Sequence, residues 1–380
     1  MRILLKWIGG IVLALLVASA ALWFFLFRPP PPGTPGRIVA TASGPVRGLD
    51  EQGLAVYRGI PYAAAPVGDL RWLAPQPVAA WTKPRDAFIF GRSCPQVGGP
   101  IPGLPPEPQS EDCLYLNVWS PAKAGDKPLP VIVWLHGGSN MNGSASAYPY
   151  WGHRLAQKGV VVVSPNYRLG ALGFMALPEL SAESGHQASG NYGMMDQIAA
   201  LKWVQANIRA FGGDPANVTL MGQSAGAWDT SHLQVSPLAH GLYRRVIAMS
   251  GGNFGPPGTQ QGTAFLPDAE AAGTRFAAHL KAKTLADLRA VPFRTIVDAP
   301  TGLWRATPNA SDTAGIVDGY VVPAAPADGY AAGQAAPGEL LIGYTSDEGV
   351  NWAPDGVRAE QFRDQLVRDY APLGDRFAAL

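Results

Sequence analysis

The stretch that decides the fold is "SGNYGMMDQIAALKWVQANIRAFGGDPANVTLMGQSAGA", residues 189–227. Within 194–211 apolar residues recur at spacings of three and four, and these residues are Met194, Ile198, Leu201, Val204, Ile208 and Phe211. Such spacing predicts a helix with one face on a sheet. Glycines and an Asp–Pro pair then predict its end and a turn. A strand is predicted over 217–222, and a second helix over 225–235.

"GQSAG" (222–226) is a Gly-x-Ser-x-Gly motif that lies between that strand and that helix. This context is typical of a nucleophile elbow. The turn is so tight that the residues two before and two after the serine must lack bulky side chains, which Gly222 and Gly226 satisfy. The serine is expected in a strained conformation with its hydroxyl exposed. Ser224 is therefore the predicted nucleophile.

A second glycine-rich turn, "HGGSNMNG" (136–143), follows the apolar run "LPVIVWLHGG" (129–138). A serine that attacks an ester carbonyl creates an oxyanion, and hydrogen-bond donors must already point at that oxygen. The amide of Ala225 at the helix start is one predicted donor, and the amides of Gly138 and Ser139 are the others. A plain loop without this role is the alternative interpretation of the glycines.

Outside residues 189–227, short apolar runs alternate with amphipathic segments, which predicts one α/β domain with crossover helices. "GVVVVSPNYR" (159–168), "YRRVIAMSG" (243–251) and "GELLIGYT" (338–345) are predicted core strands. Residues 269–291 between the last two predict a pair of surface helices. With 47% apolar residues among 380, a sizeable core is expected. A net charge of +1 gives no basic field to hold nucleic acid.

The first 28 residues are predicted to be separate from this domain. Arg2 and Lys6 precede an uncharged run, 7–27, that is about long enough to cross a bilayer. "ASA" (18–20) also fits signal-peptide cleavage, so a cleaved signal stays open beside an anchor. An anchor is favoured because the chain stays apolar and aromatic after this site. A proline-rich linker, 29–36, would then hold residues 37–380 on the outer side of the membrane.

Cys94 and Cys113 are the two cysteines of the chain. In an exported protein they are expected to form a disulfide, whereas two buried free thiols are the alternative. Two cysteines without a CxxC motif or a nearby histidine do not make a zinc site. No metal and no cofactor is predicted.

Several stretches of the chain resemble the type-B carboxylesterase family. Residues 57–81 resemble its N-terminal signature, residues 110–121 its disulfide signature and residues 134–144 its oxyanion-hole turn. The run at 189–227 resembles the helix, turn and elbow of the family, and residues 236–252 and "DEG" (347–349) continue in family order.

The resemblance implies an α/β-hydrolase fold, a mostly parallel sheet with helices on both faces, and hydrolysis of small-molecule carboxylic esters without a cofactor. It implies that Ser224 is the nucleophile, Glu348 the triad acid and Ser250 a hydrogen-bonding neighbour of that acid. It also implies a Cys94–Cys113 disulfide. Ser139 replaces the third glycine of the family and Gln223 replaces its usual glutamate. A backbone amide donates whatever its side chain, so neither departure is expected to disable the site.

The family places its catalytic histidine well beyond the acid, but no histidine follows Glu348 in this sequence. A serine needs such a base to be nucleophilic at neutral pH. Truncation at the C-terminus and impaired turnover are therefore expected. A non-catalytic binding or adhesion module on the same fold is the alternative function.

Overall fold

The structure is a computed structural model that describes residues 33–101, 106–122, 127–252, 254, 263–305, 315–348, and 360, 361, 363, 364 and 367. The predicted anchor, residues 1–28, and residues 29–32 of the predicted linker lie outside the described residues. Residues 34–36 of that linker already belong to the first strand of the sheet. Among the residues described, no helix is both long and apolar enough to span a membrane.

One large mixed sheet organises the described chain. Its strands are β1 Thr34–Ala40, β2 Pro45–Glu51, β3 Leu54–Pro61, β4 Arg85–Asp86, β5 Tyr115–Pro121, β6 Leu129–Leu135, β7 Val161–Pro165, β8 Gly213–Gln223, β9 Arg245–Met249 and β12 Glu339–Gly343. Their order is β1-β2-β3-β5-β7-β6-β8-β9-β12, and β4 pairs with β2. A separate pair of short strands is formed by β10 Ala264–Phe265 and β11 Ile316–Val317.

Along the strand order, the sheet is parallel only in the half that carries the predicted site, while the short β4 pairs parallel with β2 beside this order. From β7 through β6, β8 and β9 to β12 every pairing is parallel, whereas β1 to β7 pair antiparallel along the order. The expected mostly parallel sheet is thus a mixed one. The short turns between β1 and β2 and between β2 and β3 permit antiparallel neighbours, while parallel neighbours need crossover segments.

Helices fill the connections. They are α1 His153–Ala156, α2 Gly170–Phe174, α3 Pro178–Glu183, α4 Tyr192–Asn207, α5 Ala225–Val235, α6 Leu266–His279, α7 Leu285–Ala290, α8 Phe293–Asp298 and α9 Pro326–Ala331. The predicted helix over 194–211 is α4 followed by a 3-10 turn, Ile208–Phe211, and Gly212 closes it with a φ of 89°. The predicted surface pair over 269–291 corresponds to α6 and α7.

The predicted turn after α4 is wrong in extent, because β8 already begins at Gly213 and includes the Asp–Pro pair. The pairing with β6 shifts register between Leu129 and Val131, where Leu129 lies opposite Gly213 and Val131 opposite Val218. The residues between them are therefore extra length on one strand, the geometry of a bulge. Pro215 is tolerated there because a bulge position need not donate a ladder hydrogen bond, and proline has no N–H to donate.

Strand β12 is not the buried core strand that its apolar sequence predicts. All five of its residues are exposed, with Leu341 at 64% relative exposure. It pairs with β9 on one side and forms the edge of the sheet in the described part of the chain. By contrast, β7 between β5 and β6 is buried at every position. Position in the sheet, which local sequence does not encode, separates the two strands.

Candidate active site

The strand ends of the parallel half bring the predicted catalytic segments to one edge of the sheet. In the pairing registers Leu135 lies opposite Gly222, Gln223 opposite Met249, and Met249 opposite Gly343. Each of these strands ends at this level, so the segments that follow emerge side by side. Ligands of open α/β sheets bind at such carboxyl ends.

Ser224 lies between the end of β8 and the start of α5, with a φ of 54° and a ψ of −123°. A positive φ is uncommon for a residue with a side chain and costs about 1–3 kcal/mol. Its amide donates to the Met249 carbonyl oxygen at 2.9 Å, and its own carbonyl accepts from Ala227 and Trp228. The backbone is thus fixed on both sides while the side chain stays partly exposed.

The two glycines of the elbow are required by close contacts. A Cβ on Gly222 would lie 2.3 Å from the Gly226 carbonyl oxygen. A Cβ on Gly226 would lie 2.2 Å from the Leu135 carbonyl oxygen at the end of β6. Helix α5 therefore packs directly on the strand ends, as the motif predicts.

The turn 136–143 follows β6 and faces the elbow. A Cβ on Gly137 would lie 3.1 Å from the Ser224 Cβ, which places this turn against the serine. The carbonyl oxygen of Gly138 accepts from the amides of Met141 and Asn142 at 2.9 and 3.0 Å. Gly138 has a φ of 111°, and Ser139 and Asn140 also have positive φ values.

Backbone strain is concentrated here. Among the described residues, eight non-glycine residues have a positive φ, and Ser139, Asn140, Ser224 and Ser250 are half of them. All four lie at the carboxyl edge of the parallel strands. Such conformations persist only where the surrounding structure enforces them, and they cluster at functional sites. The strain therefore indicates a functional site at this edge, in addition to the sequence motif.

Glu348 lies beyond β12 and its side chain is exposed. Its carboxylate accepts from the Thr345 hydroxyl at 2.9 Å and from the Thr345 amide at 3.3 Å. Hydrogen bonds lower the pKa of Glu348, and the one from Ser250 has a larger effect than those from Thr345. The Ser250 amide donates to Gly343 at 2.8 Å, which ties the segment after β9 to the end of β12. Ser250 thus lies beside the carboxylate of Glu348.

No histidine of the sequence is placed as a partner of Ser224 within the described residues. His136 is buried, stacks on Tyr167 with ring centroids 4.3 Å apart and donates from Nδ1 to its neighbour's carbonyl at 2.9 Å. His186 stacks on Tyr320, and His240 Nε2 contacts the Gln234 carbonyl. The remaining histidines are His153, His232 and His279.

His232 lies on α5 but is held inside its own helix. Its Nδ1 donates to the Trp228 carbonyl at 2.9 Å, and its Nε2 lies 3.2 Å from the Thr263 hydroxyl. The side chain is fully buried, and this burial lowers its pKa to about 4. It therefore does not serve as a base for the serine at the other end of the helix.

The disulfide segment supports the turn 136–143. Cys94 and Cys113 are bonded, with Cα atoms 5.0 Å apart. Two residues past Cys94, the side-chain amide of Gln96 both donates to and accepts from the Gly143 backbone at 2.9 Å. Sequence reasoning missed Gln96, since nothing local signals a contact with a loop 47 residues away.

Asp229 on α5 is another residue that sequence reasoning missed. Its carboxylate is fully buried and accepts from Asn140 of the turn at 2.8 Å and from Gln197 of α4. Burial raises the pKa of Asp229 to about 7. The available signal was that Asp229 is the single acidic residue of α5.

A cavity of about 340 Å³ in the described part of the protein does not have Ser224 in its walls. It lies between α3, α4 and the segment 72–76, and Trp72, Tyr192 and Tyr320 contribute to its walls. Within the described residues no cluster of histidine, cysteine and carboxylate side chains could hold a metal ion.

A sequence model of the carboxylesterase family matches residues 35–374. The chain is 42% identical over 309 residues to a fumonisin B1 esterase of Sphingopyxis macrogoltabida, covering 81% of this chain and 56% of that protein. It is 46% identical over 220 residues to a para-nitrobenzyl esterase of Bacillus subtilis, covering 57% of this chain and 44% of that protein. The chain therefore spans about half the length of these curated relatives.

Solved structures show the same likeness. A PNB esterase structure superposes with a TM-score of 0.76 at 36% identity, covering 89% of this chain and 70% of that one. A carboxylesterase of Geobacillus stearothermophilus superposes with a TM-score of 0.74 at 35% identity, covering 87% of this chain and 68% of that one. The expected α/β-hydrolase fold is confirmed by these neighbours.

Proposed function

Because this chain belongs to the carboxylesterase family, we propose that its domain, residues 37–380, hydrolyses small-molecule carboxylic esters through Ser224. The observation that carries the proposal is the elbow, where a serine at positive φ opens α5 between two glycines that cannot accommodate a Cβ. Fixed in this way, the hydroxyl is presented to a substrate at the carboxyl edge of the sheet.

The reaction has two halves. The Ser224 oxygen bonds to the ester carbonyl carbon, its proton passes to a base, and the alcohol leaves with a proton as the carbonyl reforms. Water then attacks the acyl-enzyme, which releases the carboxylic acid and restores the hydroxyl. In both halves a negative charge develops on the former carbonyl oxygen.

The amides of Ala225, Gly138 and Ser139 are the proposed donors to that oxygen. Ala225 is the first residue of α5, where N–H groups have no intrahelical acceptor and the helix dipole favours negative charge. The turn that carries Gly138 and Ser139 packs against Ser224 through Gly137. Removing one such donor typically costs about 100- to 1000-fold in rate.

Glu348 is proposed to orient a histidine that this sequence does not supply after it. Its low pKa keeps it ionised at neutral pH, as an orienting acid must be, and Ser250 would hold it in place. Because none of the histidines within the described residues is positioned as the base, we propose that this polypeptide turns over slowly. Loss of a triad base can cost about a million-fold, while the oxyanion donors alone retain about 10³- to 10⁴-fold over water.

Hydrolysis of p-nitrophenyl acetate tests the proposal, with intact mass to detect an acetyl group on Ser224. We expect a slow rate that Ser224→Ala abolishes. Ser236→Ala is the matched control, because the Ser236 hydroxyl is buried at the end of α5 and has no hydrogen-bond partner among the described residues. Equal rates for the unaltered chain and Ser224→Ala would refute the nucleophile. A fast Ser224-dependent rate would refute the missing base.

A binding or adhesion module is the second candidate. It is favoured by two observations in the described chain, the lack of a histidine placed beside Ser224 and the exposed apolar edge of β12. A fluorophosphonate probe separates the two functions. Slow labelling that Ser224→Ala removes supports the esterase, whereas no labelling after prolonged incubation supports the binding module.

We also propose that the domain faces an oxidising compartment outside the cytoplasm. The Cys94–Cys113 disulfide supports this location, since structural disulfides persist in exported proteins. Residues 1–28 would act as the membrane anchor, and cleavage as a signal sequence is the alternative. Fractionation of cells that express the chain, with and without residues 1–28, tests the anchor: release of only the shortened chain is expected.

A further inference from the structure

Asp229 joins the two parts of the site that must converge on the substrate oxygen. It lies on α5, the helix whose first amide is a proposed oxyanion donor, and its side chain is fully buried. Across the described residues no lysine, arginine or histidine forms an ion pair with it. The carboxylate is instead held by two neutral side chains from two other elements.

One partner belongs to the turn 136–143, called the oxyanion turn here because it carries two of the proposed oxyanion donors. The Asn140 side-chain amide donates to Oδ1 of Asp229 at 2.8 Å, while Gln197 from α4 donates to Oδ2. Because each oxygen receives a separate N–H, only a carboxylate satisfies both donors in this arrangement. An asparagine at position 229 would offer one acceptor and set its own NH₂ group against another.

The backbone of Asn140 is held as firmly as its side chain. It has a φ of 53°, is fully buried, and its carbonyl accepts from the Gly170 amide at 2.7 Å. The residue before it, Ser139, is exposed and carries a proposed donor amide. A shift of the Asn140 side chain would therefore move the donor beside it.

We propose that Asp229 is a positioning residue, which fixes the oxyanion turn against helix α5 through Asn140 and thereby sets the distance between the donors on the turn and the donor at Ala225. This inference rests on the proposed function. Productive sites hold their groups to within about 0.5 Å, and a misplacement of about 1 Å can cost about 100-fold in rate.

The energetics support a role beyond packing. Burial raises the pKa of Asp229 to about 7, so the fold disfavours the ionised form that accepts both hydrogen bonds. Among the ionisable groups, Tyr167 interacts with this carboxylate, and burial followed by this carboxylate raises the pKa of Tyr167. His232, three residues further along α5, is kept neutral by burial. A fully buried carboxylate that is retained at such a cost and contacts a turn residue with a positive φ is typical of a functional site.

The test uses the full chain in three variants. Asp229→Asn removes one acceptor. The swap, Asp229→Asn with Asn140→Asp, restores both contacts, because the new amide donates to the turn and still accepts from Gln197. Gln197→Met is the matched control, since it removes the other donor to the same carboxylate without touching the turn.

Two readouts are made on each variant: the rate and substrate dependence of Ser224 acetylation by p-nitrophenyl acetate, and hydrogen exchange of the amides in 136–143. For Asp229→Asn we expect a roughly 10- to 100-fold lower acetylation rate at saturating ester, little change in half-saturating concentration, and faster exchange in the turn. The swap is expected to recover most of the acetylation rate and most of the slow hydrogen exchange in the turn. Gln197→Met is expected to leave exchange in the turn unchanged.

Unchanged acetylation and exchange in Asp229→Asn would overturn the inference. So would a swap as impaired as the single variant, which would assign the loss to general packing. If the unaltered chain shows no Ser224-dependent acetylation, the proposed function fails, and exchange in the turn still decides whether Asp229 positions it.

Discussion

Substitution of Gly226 by alanine should distort the site at its centre. The added Cβ would lie 2.2 Å from the Leu135 carbonyl oxygen and 2.8 Å from that of His136. Both atoms belong to backbone, one at the end of a core strand, so neither can rotate away. Relief of the closer contact requires a shift of about 1 Å between α5 and β6.

That shift has two measurable consequences. Overpacking of a dense interior typically costs about 1–3 kcal/mol, so the free energy of unfolding should fall by about that amount. A displacement of about 1 Å between Ser224 and the turn after His136 should also lower acetylation of Ser224 by about 100-fold. Guanidinium unfolding and p-nitrophenyl acetate burst measurements on the same preparation report both quantities.

Gly302→Ala is the matched control for this change. Gly302 is exposed, its φ is not positive, and an added Cβ meets no atom within 4 Å. We expect its stability to stay within about 0.5 kcal/mol of the unaltered chain and its acetylation rate to be unchanged. Equal stability and equal rate for Gly226→Ala and Gly302→Ala would refute the close packing of the elbow.

Three other outcomes are expected from equilibrium unfolding. Cys94→Ala, compared with the unaltered oxidised chain, should cost about 3 kcal/mol, because the lost disulfide closes a sequence separation of 19 residues; an unchanged midpoint would contradict this. Arg168→Met should lower the free energy of unfolding by about 3–5 kcal/mol, because it leaves the buried Asp196 without its ion-pair partner. Arg47→Met, which breaks an exposed ion pair with Asp86, should lower it by less than about 1 kcal/mol. Burial raises the pKa of Asp229 to about 7 in the folded state, so the stabilisation that the protonated Asp229 gives below about pH 4 is lost as the pH rises to about 7. Relative to Asp229→Asn, the free energy of unfolding of the unaltered chain should therefore fall by up to about 4 kcal/mol between about pH 4 and about pH 7. Parallel pH profiles of the two proteins would contradict the raised pKa.

Much of the fold could be predicted because its signals are local. The apolar run 159–168 predicts a strand that the structure buries completely as β7, and the spacing from Met194 to Val204 predicts α4. The elbow is likewise local, since strand, tight turn and helix are adjacent in sequence. Ser224, Gly222 and Gly226 therefore follow from five consecutive residues and their flanks.

The candidate site was predictable only where one segment carries a complete pattern. Glu348 and Ser250 entered through a family resemblance, because the hydrogen bond between them depends on the pairing of β9 with β12. Gln96 and Asp229 carry no pattern of their own. Their partners lie 47 and 89 residues away, and only the folded chain brings them together.

The sequence by itself determined the central strands, the main helices and the Gly-x-Ser-x-Gly turn, since each is a property of residue types at short spacing. The tertiary structure decided what depends on neighbours. It exposed the apolar strand β12 at the edge, buried His232 within its helix and placed the buried Asp229 carboxylate in contact with Asn140 of the turn 136–143. Burial and hydrogen bonding are set by distant parts of the chain, so no local pattern encodes them.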